Sequence, residues 1–358
     1  MAEQQGIRLG IIGAGGIGNE HMKGFRATEG VQLTAVTDVF RPLAEQRAKE
    51  YGIELVCDSY QELLESDVDA VVVAVPNDLH APIAIDALQA GKHVLLEKPM
   101  AIDAASAKAI VRAHRASGKV LMLSHQQRWE AVYLQVKEQI DKGALGHIYN
   151  TKTGWVRRKG IPGWGTWFTQ KSKSGGGPLI DLGVHMLDLS LHFMGSPKPV
   201  SVFGTTYAEF GPKQRGIGDW GRPDWSGHYD VEDLATALIK LDNGATLTLD
   251  VSWAAHTSIE NSGPYIYLMG TEGGASLKNG EGMLHAELFD RTTDVTLSKP
   301  VSDEGARLRM NRHFVECIRE GREPLTSAMS GLANSLVLEA IYESSRTGSM
   351  IQLDWSLD

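Results

Sequence analysis

The stretch Ile7-Arg8-Leu9-Gly10-Ile11-Ile12-Gly13-Ala14-Gly15-Gly16-Ile17-Gly18 decides the fold. Its first six residues form an apolar run of strand length. Gly-x-Gly-x-x-Gly follows at once, ahead of a helical pattern over residues 21–28. Gly13 suits a tight turn, Gly15 lets the backbone approach a pyrophosphate, and Gly18 allows a helix to close against a strand. Gly16 and Ile17 lie where the helix N-terminus would face phosphates. Glycines alone make a weak case, because any strand–turn–helix can use them. A second apolar strand, residues 33–37, ends in Asp38, at the offset of about 20 residues expected of the acid that binds a ribose. A carboxylate there repels a 2′-phosphate, so NAD is favoured as cofactor. Arg41 keeps NADP possible, since it could pair with that phosphate or simply be solvated at a helix start.

Strand and helix go on alternating to residue 125. Helices are predicted over residues 42–51, 60–65, 82–90 and 106–117, and strands over 55–57, 70–75, 92–96 and 120–124. Ala70-Val71-Val72-Val73-Ala74-Val75 is apolar on both faces, as a central parallel strand requires. Past its end come Pro76, Asn77 and His80, placed for a cofactor in the crevice of a doubly wound sheet. Asn77 could equally cap a helix and His80 lie on the surface. The strand over 92–96 ends in Glu97-Lys98-Pro99, and both Glu97 and Lys98 join the cofactor candidates. An ammonium at that tip points into the crevice, where it can bond a substrate hydroxyl and share in its deprotonation.

From residue 126 the pattern changes. After a helix over 129–142, long half-buried strands are predicted at 147–158, 200–210, 234–241 and 245–252. The last two flank the hairpin signal Asp242-Asn243-Gly244. Strands at 265–269, 275–277 and 284–289 follow, and helices over 308–320 and 327–346 with a strand at 351–354 close the chain. The expected fold is therefore an α/β Rossmann domain with a doubly wound parallel sheet, residues 1–125. It is followed by an α+β domain with an open, mostly antiparallel sheet, residues 126–358. An open sheet must cover its exposed face, so a homodimer or homotetramer is expected.

Beside that sheet lies Gly-Gly-Gly-Pro-Leu-Ile-Asp-Leu-Gly-Val-His-Met-Leu-Asp, residues 175–188. The glycines free the backbone to pass close to a ligand, and Pro178 suits the first turn of a helix reaching residue 194. On such a helix Asp181, His185 and Asp188 share one face. A carboxylate beside an imidazole orients it for proton transfer, although a purely structural Asp–His pair has the same spacing. No metal is expected, because no His-Glu-x-x-His or cysteine cluster completes a ligand set. Two long loops carry aromatics: residues 159–174 hold Trp164, Trp167 and Phe168, and residues 211–229 hold Trp220, Trp225 and His228. These rings suit the apolar faces of sugars or anchor the loops equally well. Arg128 could donate to a substrate hydroxyl or pair on the surface.

A net charge of −9, with no basic run longer than Arg157-Arg158-Lys159, argues against a nucleic-acid partner. No apolar run reaches membrane-spanning length, and residues 1–6 carry no charged-then-apolar leader, so no membrane partner is expected. Only Cys57 and Cys317 are present, which fits a reducing compartment, and a cytoplasmic location is expected.

With Gly13-x-Gly15-x-x-Gly18, Glu97-Lys98-Pro99 and Asp181-x-Gly183-x-His185-x-x-Asp188 in this order, the chain resembles the glucose–fructose oxidoreductase/inositol dehydrogenase family. The resemblance runs nearly end to end and includes Pro324-Leu325-Thr326, Gly331 and Leu338-Glu339-Ala340. It implies an NAD(P)-dependent dehydrogenase that oxidises a secondary hydroxyl of a sugar or cyclitol by hydride transfer to nicotinamide. It also implies catalytic roles for Lys98, Asp181 and His185, a place for Arg128 near the substrate, and a pocket wall that includes Trp155, Trp164 and Trp167. His185 is read as the base, oriented by Asp181, with Lys98 polarising the oxygen; the two roles could be exchanged. Relatives that cleave glycosides by transient oxidation and elimination give a second reading. A cofactor-binding sensor without turnover gives a third, which the three intact residues oppose.

Overall fold

The computed structural model describes residues 6–298 and 303–357. The first five residues, read above for a leader, and residue 358 lie outside the described residues. The chain opens with β1 (Ile7–Ile12), β2 (Val31–Thr37), β3 (Leu55–Cys57), β4 (Ala70–Val73), β5 (His93–Leu96) and β6 (Leu121–Leu123). These form one six-stranded sheet in the order β3-β2-β1-β4-β5-β6, with every neighbouring pair parallel. The order reverses between β1 and β4, so the loops after these two strands part and open a crevice. Ala70, Val71, Val72 and Val73 are all fully buried, which explains why β4 carries no polar alternation.

The second sheet is built from β7 (Ile148–Val156), β8 (Pro199–Tyr207), β9 (Leu234–Leu241), β10 (Thr246–Ser252), β11 (Gly263–Gly270), β12 (Gly273–Lys278), β13 (Glu281–Leu288), β14 (Arg291–Leu297) and β15 (Ile351–Gln352). Its order is β14-β13-β12-β11-β7-β10-β9-β8-β15. All neighbours are antiparallel except β7 and β10, which run parallel. Along β9, Ala235, Ala237, Ile239 and Leu241 are buried, while Leu238 faces out beside Phe203 of β8. One face of the sheet thus packs on helices and the other carries exposed apolar side chains.

The helix Val184–Phe193 is buried almost all round, and Met186, Leu187, Leu189 and Phe193 are completely buried. It is sandwiched between the sheet and the helix Ala328–Thr347. That last helix joins the two domains through separate rows of side chains. Ala328, Leu332 and Leu336, each four residues apart, enter the core of the parallel sheet. Ala333, Val337 and Ile341, at the same spacing, enter the core of the second sheet.

Candidate active site

The glycine turn after β1 is fixed by sterics at two positions. Gly13 has φ +97°, and a Cβ on it would lie 2.2 Å from the Ala74 carbonyl oxygen; a Cβ on Gly18 would lie 1.9 Å from that of Gly13. Around Gly15 and Gly16 nothing comes within 4 Å of such an atom. The helix Gly16–Arg26 begins here, and the free N–H groups of its first turn favour an anion. Asp38 leaves β2 beside this turn; its Oδ2 accepts from Ala14 N at 2.8 Å and its Oδ1 from Phe40 N at 2.9 Å. Each oxygen keeps a lone pair for a ribose hydroxyl. The cradle fits a dinucleotide, with Gly13–Gly18 against the phosphates and Asp38 against the ribose.

Gly15→Ala and Gly18→Ala are expected to separate binding from folding. Gly15→Ala should weaken NADH binding about tenfold or more with an unchanged melting temperature, since only the ligand's approach is obstructed. Gly18→Ala should lower both, because the backbone of Gly13 has to move. Equal melting losses in the two variants would contradict this account.

Other expected cofactor contacts lie differently. The Arg41 guanidinium is held by Glu45 at 2.9 Å and by Asp58. Asn77 is buried and donates through Nδ2 to Ser174 O at 2.8 Å, and so ties the crevice to the second domain. His80 is buried, with Nδ1 2.7 Å from Pro99 O and Nε2 2.9 Å from Val75 O, so it braces the Lys98-Pro99 loop from behind. Glu97 also turns inward: His21 Nε2 lies 2.7 Å from its Oε1, and Ser124 Oγ donates to the same oxygen at 2.8 Å. Burial alone would raise this carboxyl, but His21 and Arg307 override it and hold the group well below the usual carboxylate range.

Lys98, at the end of β5, crosses from the first domain to the second. Its Nζ donates to the carbonyl oxygen and to Oδ1 of Asp181, both at 3.1 Å. Asp181 Oδ2 accepts from Trp253 Nε1 at 3.0 Å. Burial opposes the charged carboxylate, yet the Lys98 ammonium and the Trp253 hydrogen bond keep the Asp181 carboxyl below its ordinary range. This corrects the sequence reading: Asp181 binds Lys98 and Trp253 and makes no hydrogen bond to His185. The helix itself differs too. Residues Leu179–Gly183 form a π-turn, and regular α-helix begins only at Val184. The glycines at 175–177 make room for protein neighbours. A Cβ on Gly176 would lie 1.9 Å from Tyr342 Oη and one on Gly177 2.0 Å from Glu232 O. The buried Glu232 carboxylate accepts from Gly177 N and Leu179 N and so caps the π-turn.

His185 lies half-buried one turn beyond Asp181, among Trp155 and His125, whose ring centroids are 6.3 and 6.4 Å away. Its Nδ1 is buried and has no partner. Burial first, then the nearby Lys98 ammonium and His125, push its pKa down to about 3, so the ring is neutral at neutral pH. Asp188, three residues on in the same helix, is fully buried. It lies beneath, where its two oxygens accept from Arg128 Nη2 at 2.6 Å and Nε at 2.7 Å. Arg128, expected near a substrate, is therefore a buried partner of Asp188 and also donates to Leu325 O.

His185 at about 3, His192 at about 3 and His93 at about 4 all titrate below the ordinary 6.5, chiefly through burial. The unfolded chain therefore binds more protons than the folded one between pH 6.5 and these values. Stability is expected to fall as pH drops from 6.5 toward 4. A melting temperature that stays level across that window would contradict these assignments.

A pocket of about 420 Å³ opens from Asp181 and is lined by Arg157, Lys159, Phe168, Asp219 and Trp220 among others. Trp155 borders His185 and carries the Arg157 guanidinium 5.2 Å from its ring. Trp164 is buried, donates to Gly211 O at 2.8 Å and stacks with Tyr229 and Trp225, so it anchors one loop to the other. Trp167 packs edge-on against Phe168 at 4.9 Å. Sequence reasoning missed Trp253 and His125. Trp253 follows β10, whose parallel pairing with β7 brings it to the same rim as Trp155, and no local pattern announces that pairing.

This arrangement defines a Rossmann oxidoreductase, and comparisons with known proteins agree. Residues 7–125 match the oxidoreductase family with an NAD-binding Rossmann fold, and residues 133–276 match the GFO/IDH/MocA C-terminal domain. The D-glucoside 3-dehydrogenase of Escherichia coli (strain K12) is 32% identical over 97% of each chain. The scyllo-inositol 2-dehydrogenase (NAD(+)) of Bacillus subtilis (strain 168) is 26% identical over 97% of this chain and 96% of its own. A solved levoglucosan dehydrogenase, in complex with NADH and levoglucosan, superposes with a TM-score of 0.86 over 98% of this chain and 100% of its own, at 24% identity. The chain belongs to the GFO/IDH/MocA family, that of glucose–fructose oxidoreductase and inositol dehydrogenase, and is an NAD(P)-dependent dehydrogenase with an NAD-binding Rossmann domain.

Proposed function

We propose that the protein oxidises a secondary hydroxyl of a pyranoside or inositol, with NAD as the working cofactor. The observation that carries this reading is the Lys98 ammonium of the first domain held on the Asp181 carboxylate, one turn before a neutral His185. Bound nicotinamide supplies the hydride acceptor. Lys98 donates to the substrate oxygen and stabilises negative charge on it as its proton leaves. Asp181 and Trp253 hold that ammonium in place. His185 takes the hydroxyl proton as the hydride leaves, and because an imidazolium beside Lys98 is disfavoured, it releases that proton to solvent at its partly exposed edge.

The names of the relatives, a glucoside 3-dehydrogenase and an inositol 2-dehydrogenase, support a ring carbon as the site of oxidation. The dinucleotide-binding domain is assigned to residues 1–125 and the substrate domain to residues 126–358. Exposed Phe203, Leu238 and Tyr207 on the outer face of the second sheet support a homodimer or homotetramer formed there. Two free, buried cysteines support a cytoplasmic setting, and no helix among the described residues is long and apolar enough to cross a membrane. The test is a screen of NAD and NADP reduction against glucosides, anhydrosugars and inositols. NADH formed with at least one ring alcohol, and less NADPH, is the expected result. Cofactor that survives desalting, with glycoside cleavage and no net NADH, would overturn it in favour of elimination chemistry.

A further inference from the structure

Glu232, two residues before β9, carries a carboxylate that is buried without a cation. It is 6% exposed, and among the described residues it is in no ion pair. Hydrogen bonds hold it instead. Gly177 N donates to both of its oxygens and Leu179 N to Oε1, each at 3.0 Å, and Tyr342 Oη donates to Oε1 at 2.9 Å. Burial pushes the carboxyl up, against the pull of the Gly177 and Leu179 amides. An apolar side chain would cost less to bury here, so stability does not account for the carboxylate.

What it grips accounts for it better. Pro178 offers no N–H, so the carboxylate gathers the amides on either side of it. The second of these, Leu179, opens the π-turn Leu179–Gly183. Asp181, in the middle of that turn, gives Lys98 Nζ both its carbonyl oxygen and its Oδ1 at 3.1 Å. The neighbour of Glu232 secures the other support of Asp181. Asp233 O accepts from Trp253 N at 2.9 Å, and Trp253 Nε1 donates to Asp181 Oδ2 at 3.0 Å. Residues 232 and 233 thus hold Asp181 from two sides, although neither touches Lys98 by a hydrogen bond.

We propose that Glu232 is a positioning residue for Lys98: its carboxylate fixes the π-turn so that Asp181 presents two oxygens to the ammonium. It acts through Asp181 and not on the substrate. Its effect on turnover rests on the role given to Lys98 above, whereas its effect on the placement of Lys98 does not.

The test is acetylation with limiting acetic anhydride, read lysine by lysine by mass spectrometry, on wild type, Glu232→Gln and Glu232→Asp. Glutamine keeps the length and one acceptor but sets an NH₂ group against Gly177 N–H. Aspartate keeps the charge but falls a methylene short of the two amides. Each leaves an acceptor in place for the fold. The Lys98 side chain is 20% exposed, and a tethered amine meets the reagent less often than a free one. In Glu232→Gln, Lys98 should react about tenfold faster, the factor for one charge-assisted hydrogen bond lost. Lys92, whose ammonium donates to Ser66 O and Val68 O in the first domain, should keep its wild-type rate. Lys98 as slow in both variants as in wild type, or Lys92 accelerated equally, would overturn the proposal. With a ring alcohol that reduces NAD, kcat of Glu232→Gln should fall about tenfold or more while KM and NADH affinity change little. A raised KM with unchanged kcat would instead make Glu232 part of the pocket's shape, and would also overturn it. Labelling needs no substrate, so the placement of Lys98 is decided even where Lys98→Ala leaves turnover intact, the outcome that defeats the reaction proposed above.

Discussion

Replacing Lys98 by alanine is expected to lower kcat by about 10²- to 10⁴-fold while NADH affinity changes little. Among the described residues the ammonium is the only cation hydrogen-bonded to Asp181, and in the proposed reaction it stands beside the oxygen from which a proton leaves. Its loss removes charge that matters more in the transition state than in the bound substrate. The same substitution has a second consequence in the pH profile. Lys98 is the largest cause, after burial, that depresses His185, so its removal should let the imidazole pKa rise. The acid limb of the residual activity should therefore move to higher pH. A variant with kcat within a few-fold of wild type, and an unshifted limb, would remove Lys98 from the chemistry.

Arg128→Leu is expected to cost about 3–5 kcal/mol of folding stability. The guanidinium and the Asp188 carboxylate are both buried, and two hydrogen bonds of 2.6 and 2.7 Å join them. Burial pushes the Asp188 carboxyl up, yet Arg128 and His125 bring it down to about 2, so it is charged at neutral pH. Leucine would fill part of the volume and leave the carboxylate without its cation. Denaturant unfolding should show the loss directly. A variant as stable as wild type, with a raised KM, would return Arg128 to the substrate contacts that its position in sequence suggests.

The parts of the fold that proved legible are those written in local pattern. The apolar β4, the Gly13–Gly18 turn with Asp38 behind it, and the Asp242-Asn243-Gly244 hairpin each carry a signal within a few residues. β14 carries none: Arg291-Thr292-Thr293-Asp294-Val295-Thr296-Leu297 is an exposed edge strand held by its pairing with β13, and the sequence reading passed over it. The candidate-site residues separate in the same way. The positions of Lys98 and His185 follow from a strand tip and a helix. The orientation of Asp181 does not, because it depends on a π-turn and on Trp253, which arrives from 72 residues away. Spacing alone placed Asp188 with His185, but its pairing with Arg128, 60 residues distant in sequence, leaves no local trace. Likewise the glycines at 175–177 looked like a ligand's path, whereas their bare Cα positions accommodate Tyr342 and Glu232.

The most direct measurement is the fate of deuterium placed on the ring carbon of whichever pyranoside or inositol reduces NAD. If Lys98 and His185 handle only the hydroxyl proton, the deuterium should appear in the reduced nicotinamide, one per turnover, with none released to solvent. Deuterium washed into water, or product formed with the label still on its original carbon, would contradict direct transfer between ring and cofactor.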